Sequence, residues 1–126
     1  MSNDQNDGSV AASALRRTGF HAEVQPLDGS VVVRLHGELD MATSPALSRA
    51  LSSALNGGGT PVVVDLASLT FMDSTGIAVL LNACRLADES GGSFVVRSPS
   101  RAVLKAFRLT GVDSILSIEP DESLAT

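Results

Sequence analysis

Neither tryptophan nor tyrosine occurs in this chain, and four phenylalanines are its whole stock of aromatic rings. Proteins that grip single-stranded nucleic acid stack bases on aromatic side chains, and those that follow a phosphate backbone present clustered lysine and arginine. Here nine basic residues are scattered against fourteen acidic ones, giving a formal net charge of −5. Direct nucleic-acid binding is therefore excluded. A single cysteine, Cys84, has no partner for an internal disulfide; on an apolar helical stripe it reads as a small buried hydrophobe. The two histidines, His21 and His36, lack a spacing partner of metal-site type, so both read as structural or surface residues and no metal or other cofactor is expected. No apolar run reaches the length of a membrane span, and the opening segment lacks the pattern of a secretory leader. The expected setting is the reducing cytoplasm, without a membrane partner.

Catalytic signatures are missing as well. No histidine follows Ser74, which removes a Ser-His-Asp arrangement and a nucleophile elbow. Asp73-Ser74-Thr75-Gly76 is not an aspartic-protease triplet and has no second copy. Gly57-Gly58-Gly59 precedes a strand pattern, where a phosphate loop would open a helix. Glu38 and Asp40 stand two apart with no nearby histidine, as a solvated acidic loop does. The chain is not expected to be an enzyme.

What is present is a core of Val, Leu, Ile and Ala, within 44% hydrophobic residues over 126 positions, enough for one domain without disulfides. Residues 1–17 are polar and small, a disordered lead-in by composition. The folded domain is expected over 18–120, with 121–126 a flexible tail. Phe20, Ala22 and Val24 alternate with polar residues as in a half-buried strand. Asp28-Gly29 supplies a turn into a second strand, Ser30 to Leu35, so the two pair as a hairpin. Thr43 or Ser44 caps a helix with Pro45 in its first turn and Leu47, Ala50, Leu51, Ala54 and Leu55 on one stripe. Val62 to Leu66 is a β-branched buried strand, and a helix runs from about Thr75 to Glu89. Phe94-Val95-Val96 forms a further strand. Ser98-Pro99 opens a third helix ending at Gly111, and Ile115 to Ile118 is a last strand. This alternation is the signature of an α/β domain with a mostly parallel central sheet, an N-terminal β-hairpin and helices following the strands.

Topology then locates the chemistry. Parallel strands joined by helical crossovers put every strand-to-helix connection at one end of the sheet. The Gly37–Asp40 and Met72–Gly76 segments therefore lie side by side. At the second, the hydroxyl of Ser74 stands at a helix mouth, where free N–H groups and the positive end of the dipole suit a phosphate. On residue chemistry alone Ser74 is either a helix cap or a phosphorylation site, and Asp73 could cap the same helix. Gly76 is costly in a first helical turn, which suggests close approach by another group. The following helix is apolar on more than one face: Ile77, Leu80, Leu81 and Cys84 form one stripe, and Ala78, Val79, Ala83 and Leu86 widen it.

The segment Leu69 to Gly76 resembles the phosphoacceptor loop of STAS-domain proteins, specifically bacterial anti-sigma factor antagonists. His36-Gly37-Glu38-Leu39-Asp40 resembles that family's Gly-Glu-Leu-Asp signature, and the two blocks occur in the family's order and spacing. The resemblance implies that Ser74 is the phosphoacceptor. It also implies a partner surface built from Asp40, Asp73, Ser74, Thr75, Gly76 and Val79. The implied partners are an anti-sigma factor with serine kinase activity, which binds the unmodified form and so releases a sigma factor, and a serine phosphatase that resets the switch. Two other roles suit the same fold: a scaffold STAS subunit of a larger complex such as a lipid-transport assembly, and a receiver-like domain phosphorylated on Asp65. The retained Ser74 hydroxyl disfavours the first, and the missing acidic and lysine partners disfavour the second.

Overall fold

A computed structural model describes residues 19–56 and 58–120; the expectations for residues 1–17 and 121–126 lie outside these. Five strands and three α-helices alternate: β1 (Phe20–Leu27), β2 (Ser30–Leu39), α1 (Ser44–Leu55), β3 (Val62–Met72), α2 (Ser74–Glu89), β4 (Phe94–Arg97), α3 (Arg101–Thr110) and β5 (Ser117–Glu119), with a 3₁₀ turn at Val112–Ser114. The strands lie in chain order across one sheet, β1 antiparallel to β2 and the rest parallel. This is the α/β architecture expected from the sequence, hairpin included.

Every parallel crossover moves one strand further in the same direction, so right-handed connections place α1, α2 and α3 on one face. The burial pattern follows. Val33, Leu35, Val62, Val64, Leu66, Phe94 and Val96 share the helix-facing phase and pack with Leu47 and Leu51 of α1, Ile77 and Leu80 of α2, and Val103 and Phe107 of α3. On the other face, which carries no helix among the described residues, the register aligns Glu23, Arg34, Asp65, Arg97 and Glu119 in one row across all five strands. Asp65 sits between Arg34 at 3.7 Å and Arg97 at 3.2 Å and also accepts the Ala67 N–H at 3.0 Å.

Four boundaries differ from the sequence reading. β2 runs on to Leu39 and β3 to Met72, so His36 to Leu39 and Leu69 to Met72 are strand, not loop. Their pairing continues through two register shifts, where the local pattern loses its strict alternation and looks loop-like. At one of these Gly37 has φ +94, and a Cβ there would lie 1.8 Å from the Gly19 carbonyl oxygen, so only glycine fits. α3 is capped by Ser100, whose hydroxyl accepts from the Val103 N–H at 3.2 Å; Ser98, at φ +57, lies in the turn before it. The last strand is Ser117–Glu119, and Ile115 is exposed in the preceding turn. Cys84 is half-buried, and desolvation, followed by the charge of Asp88, pushes its thiol pKa up, as suits an inert thiol.

Replacing Asp65 by alanine leaves two arginines without their shared acceptor on a half-buried sheet face. A loss of about 1 kcal/mol is expected, and chemical denaturation with an unchanged m-value checks it.

Candidate functional site

The carboxyl ends of β2 and β3 meet at Leu39 and Met72, which are paired in register. One residue further, Asp73 ties the two chain segments together. Its N–H donates to the Leu39 carbonyl at 3.1 Å. Its carboxylate caps α2, with Oδ1 accepting from the Thr75 N–H at 3.0 Å, the Gly76 N–H at 3.4 Å and the Thr75 hydroxyl at 2.5 Å. The backbone N–H of Met41, on the other segment, adds a smaller favourable influence on the ionised form. These bonds, the Thr75 hydroxyl foremost, hold the Asp73 carboxyl below the usual carboxylate range despite a counteracting desolvation.

That network distinguishes two adjacent hydroxyls. Thr75 is half-buried and its hydroxyl is committed to Asp73. Ser74 is exposed at the first position of α2, and its side chain makes no hydrogen bond among the described residues. The cap is therefore Asp73, not Ser74. The expectation of free N–H groups awaiting a phosphate also needs correction, because the Asp73 carboxylate already occupies those of Thr75 and Gly76.

Asp40 forms the other half of the site. Its Oδ1 accepts from the N–H groups of Ala42 and Thr43, both at 3.0 Å, and its own N–H donates to Thr43 Oγ1 at 2.9 Å. Thr43, expected to cap α1 with its side chain, instead lies 3.0 Å from the Glu38 carbonyl and makes no cap bond. Asp40 thus shapes the entry to α1 as well as presenting charge. Glu38 is exposed at the end of β2, paired in register with Phe71.

Gly76 is explained from within the molecule. It is buried, and a Cβ there would lie 2.5 Å from Leu39 Cδ2 and 3.0 Å from Met72 Cγ. The close approach that requires glycine is therefore made by Leu39 and Met72, the strand ends beneath the helix, rather than by a partner. Val79 is half-buried in a shallow groove between α1 and α2, together with Ser48, Leu55, Asn82 and Leu86. Two apolar side chains that the sequence reading missed complete the surface: Met41 is 75% exposed and Phe71 48% exposed. The signal for Met41 was an apolar residue placed in a polar connection; Phe71 was obscured because β3 was ended too early.

The histidines belong to the sheet surface. His36 Nε2 lies 3.0 Å from Glu23 Oε1, and the His21 and His36 rings are 5.6 Å apart. Among the described residues no group of three or more His, Cys, Asp or Glu could hold a metal ion, and no helix is long and apolar enough to cross a membrane.

Two mutations probe this construction. Gly76→Ala gains about 1 kcal/mol in helix propensity but overpacks a wholly buried Leu39, a cost of about 1–3 kcal/mol. The overlap is close enough for the second effect to win, and a melting temperature lowered by a few degrees is expected. Asp73 has its pKa lowered on folding, so its stabilising contribution is present above its unfolded pKa and is lost as pH falls through the folded one. Asp73→Asn should therefore flatten the acid limb of the stability profile below about pH 4, where the wild-type loses this contribution. Urea midpoints measured from pH 2 to 7 check the difference.

Comparison with known proteins identifies the family to which this fold belongs. The family model described as "Mlab, STAS domain" matches residues 22–118. The anti-sigma F factor antagonist of Paenibacillus polymyxa is 31% identical over 101 residues, covering 79% of this chain and 86% of that protein. The crystal structure of an anti-sigma factor antagonist from Mycobacterium paratuberculosis aligns with TM-score 0.75 at 28% identity, covering 86% of this chain and 92% of its own. The Bacillus cell fate determinant SpoIIAA, solved in its phosphorylated form, aligns with TM-score 0.60 at 26% identity, covering 85% of this chain and 96% of its own. Sequence blocks, sheet order and relatives converge: the chain belongs to the STAS-domain family, alongside proteins named as anti-sigma factor antagonists.

Proposed function

We propose that the chain is a non-catalytic anti-sigma factor antagonist whose binding is switched off by phosphorylation of Ser74. One observation carries the choice of residue. Of the two hydroxyls at the mouth of α2, the Asp73 carboxylate engages that of Thr75, while Ser74 is exposed. The unmodified chain binds an anti-sigma factor that is also a serine kinase, and this releases a sigma factor. A serine phosphatase restores the binding form. The existence of a phosphorylated form of the related Bacillus protein supports the reading. The chain binds no cofactor of its own in this cycle, and each step involves soluble proteins of the cytoplasm.

The contact surface in this reading is the end of the sheet around Ser74. Asp40, Asp73 and Thr75 set its shape and charge, Met41 and Phe71 supply exposed apolar anchors, and Val79 extends it along α2. Apolar side chains ringed by polar groups are what an interface core requires. A phosphate on Ser74 brings about −1.5 to −2 charges beside the ionised Asp73 and close to that surface. Since Asp73 holds the nearest helix N–H groups, the phosphate is left poorly compensated. Its repulsion and desolvation then fall on the interface, and the fold is retained.

Incubation with the cognate kinase and ATP should add one phosphate, mapped to Ser74 by mass spectrometry. The phosphorylated protein should bind the anti-sigma factor at least about tenfold more weakly, roughly 1.4 kcal/mol, with an unchanged circular dichroism spectrum. Ser74→Ala should bind whether or not ATP is present. Phosphate found on Thr75, or equal affinities of the two forms by calorimetry, overturns the reading.

A further inference from the structure

α3 carries Arg101, Lys105 and Arg108, a third of the chain's nine basic residues, and no acidic one. At about 100° per residue the three fall within an arc of roughly 60°, facing away from the buried Val103 and Phe107. All three are exposed. Surface helices commonly balance their bases with acids one turn away, as Arg85 and Glu89 do on α2 at 2.7 Å. Arg101, Lys105 and Arg108 form no ion pair among the described residues, whereas Arg34, Arg85 and Arg97 each do. Beside this strip Leu109 is 77% exposed, and just past the helix Ile115 is 63% exposed.

A basic strip is not the background of this molecule, whose net charge is −5. Nor is the strip needed by the fold: only Arg108, in the last turn, gains from the helix dipole, and exposed cations with no ion pair among the described residues add little. We propose that the outer face of α3 is a docking site for an acidic amphipathic helix of a protein partner. Carboxylates spaced one turn apart on that helix meet Arg101, Lys105 and Arg108, and an apolar residue on its flank covers Leu109 and Ile115. Charge complementarity selects the acidic partner, and the adjoining leucine and isoleucine select a protein. Arginine beside exposed aliphatic side chains is the composition of a protein interface. An anionic membrane surface is recognised by clusters of about four to eight bases, more than α3 offers. A phosphate backbone would approach an otherwise acidic body with no aromatic platform.

The strip and the Ser74 surface belong to different helices. α3 follows β4 and packs on β3 and the 3₁₀ turn, while Ser74 opens α2. The proposal rests on the outer face of α3 alone and holds whether or not Ser74 is phosphorylated.

The test titrates the ¹⁵N-labelled full-length chain with a helical peptide of about 18 residues, some five turns. It bears glutamates at i, i+4 and i+7 and leucines along one flank. Amide shifts confined to residues 101–115 are expected. The triple variant Arg101→Glu, Lys105→Glu, Arg108→Glu should bind at least about tenfold more weakly, and Leu109→Ser several-fold more weakly, with both variants melting like the wild-type. A peptide with lysines in place of the glutamates should not bind. No binding of the acidic peptide, shifts mapping elsewhere, or equal affinity of the triple variant overturns the proposal. So does preferential, strip-dependent binding to phosphatidylglycerol vesicles or to single-stranded DNA.

Discussion

The parallel pairing of β2 with β3 is the constraint from which the remaining structure follows. It runs from Val31 and Val62 to Leu39 and Met72, the full working length of both strands. Without its last steps the two segments that carry Asp40 and Ser74 would diverge after Arg34 and Asp65. Because the pairing survives two register shifts, Leu39 and Met72 end level beneath the first turn of α2. Asp73 then closes the assembly, with its N–H on the Leu39 carbonyl of one segment and its carboxylate on the first turn of the helix. Residues some thirty positions apart become one surface through backbone bonds, reinforced by the Thr70 hydroxyl, which donates to the Gly37 carbonyl at 3.0 Å, and by Asp73 at the final corner.

How much of this was legible in the sequence differs by element. The apolar periodicities of α1 and α2 and the valine runs of β2, β3 and β4 were plain, because those segments are buried and their patterns report burial. Where β2 and β3 continue past the bulges, alternation is interrupted, and His36 to Leu39 and Leu69 to Met72 read as loops. The α3 cap was displaced by two residues because Ser98-Pro99 mimics a helix opening, whereas the positive φ of Ser98 is a tertiary fact. The choice of Asp73 over Ser74 as cap likewise depends on geometry that spacing does not encode. Topology alone did predict that the Asp40 and Ser74 segments share one sheet end, and they do.

Gly76 shows how one residue type invites two explanations. A glycine in the first turn of a helix suggests space left for a visitor, and the family resemblance encouraged that view. The space is taken by Leu39, which is fully buried, and by Met72. The glycine lets α2 settle onto the strand ends, and the exposure of Ser74 depends on that close seating. Shape inside the domain thus governs chemistry outside it.

The helix-free face carries a charge sequence that alternates strand by strand, from Glu23 through Arg34, Asp65 and Arg97 to Glu119. Exposed apolar sheet surface invites association with a copy of itself, and a row of charges changes that balance. If two such faces met with strands in register, carboxylate would oppose carboxylate and guanidinium would oppose guanidinium at every position. A shift by one strand would relieve that conflict but leave an end strand hanging without a counterpart. The row therefore works as an electrostatic key that fits no identical lock: wherever it is exposed, like charges oppose the registered stacking of two copies.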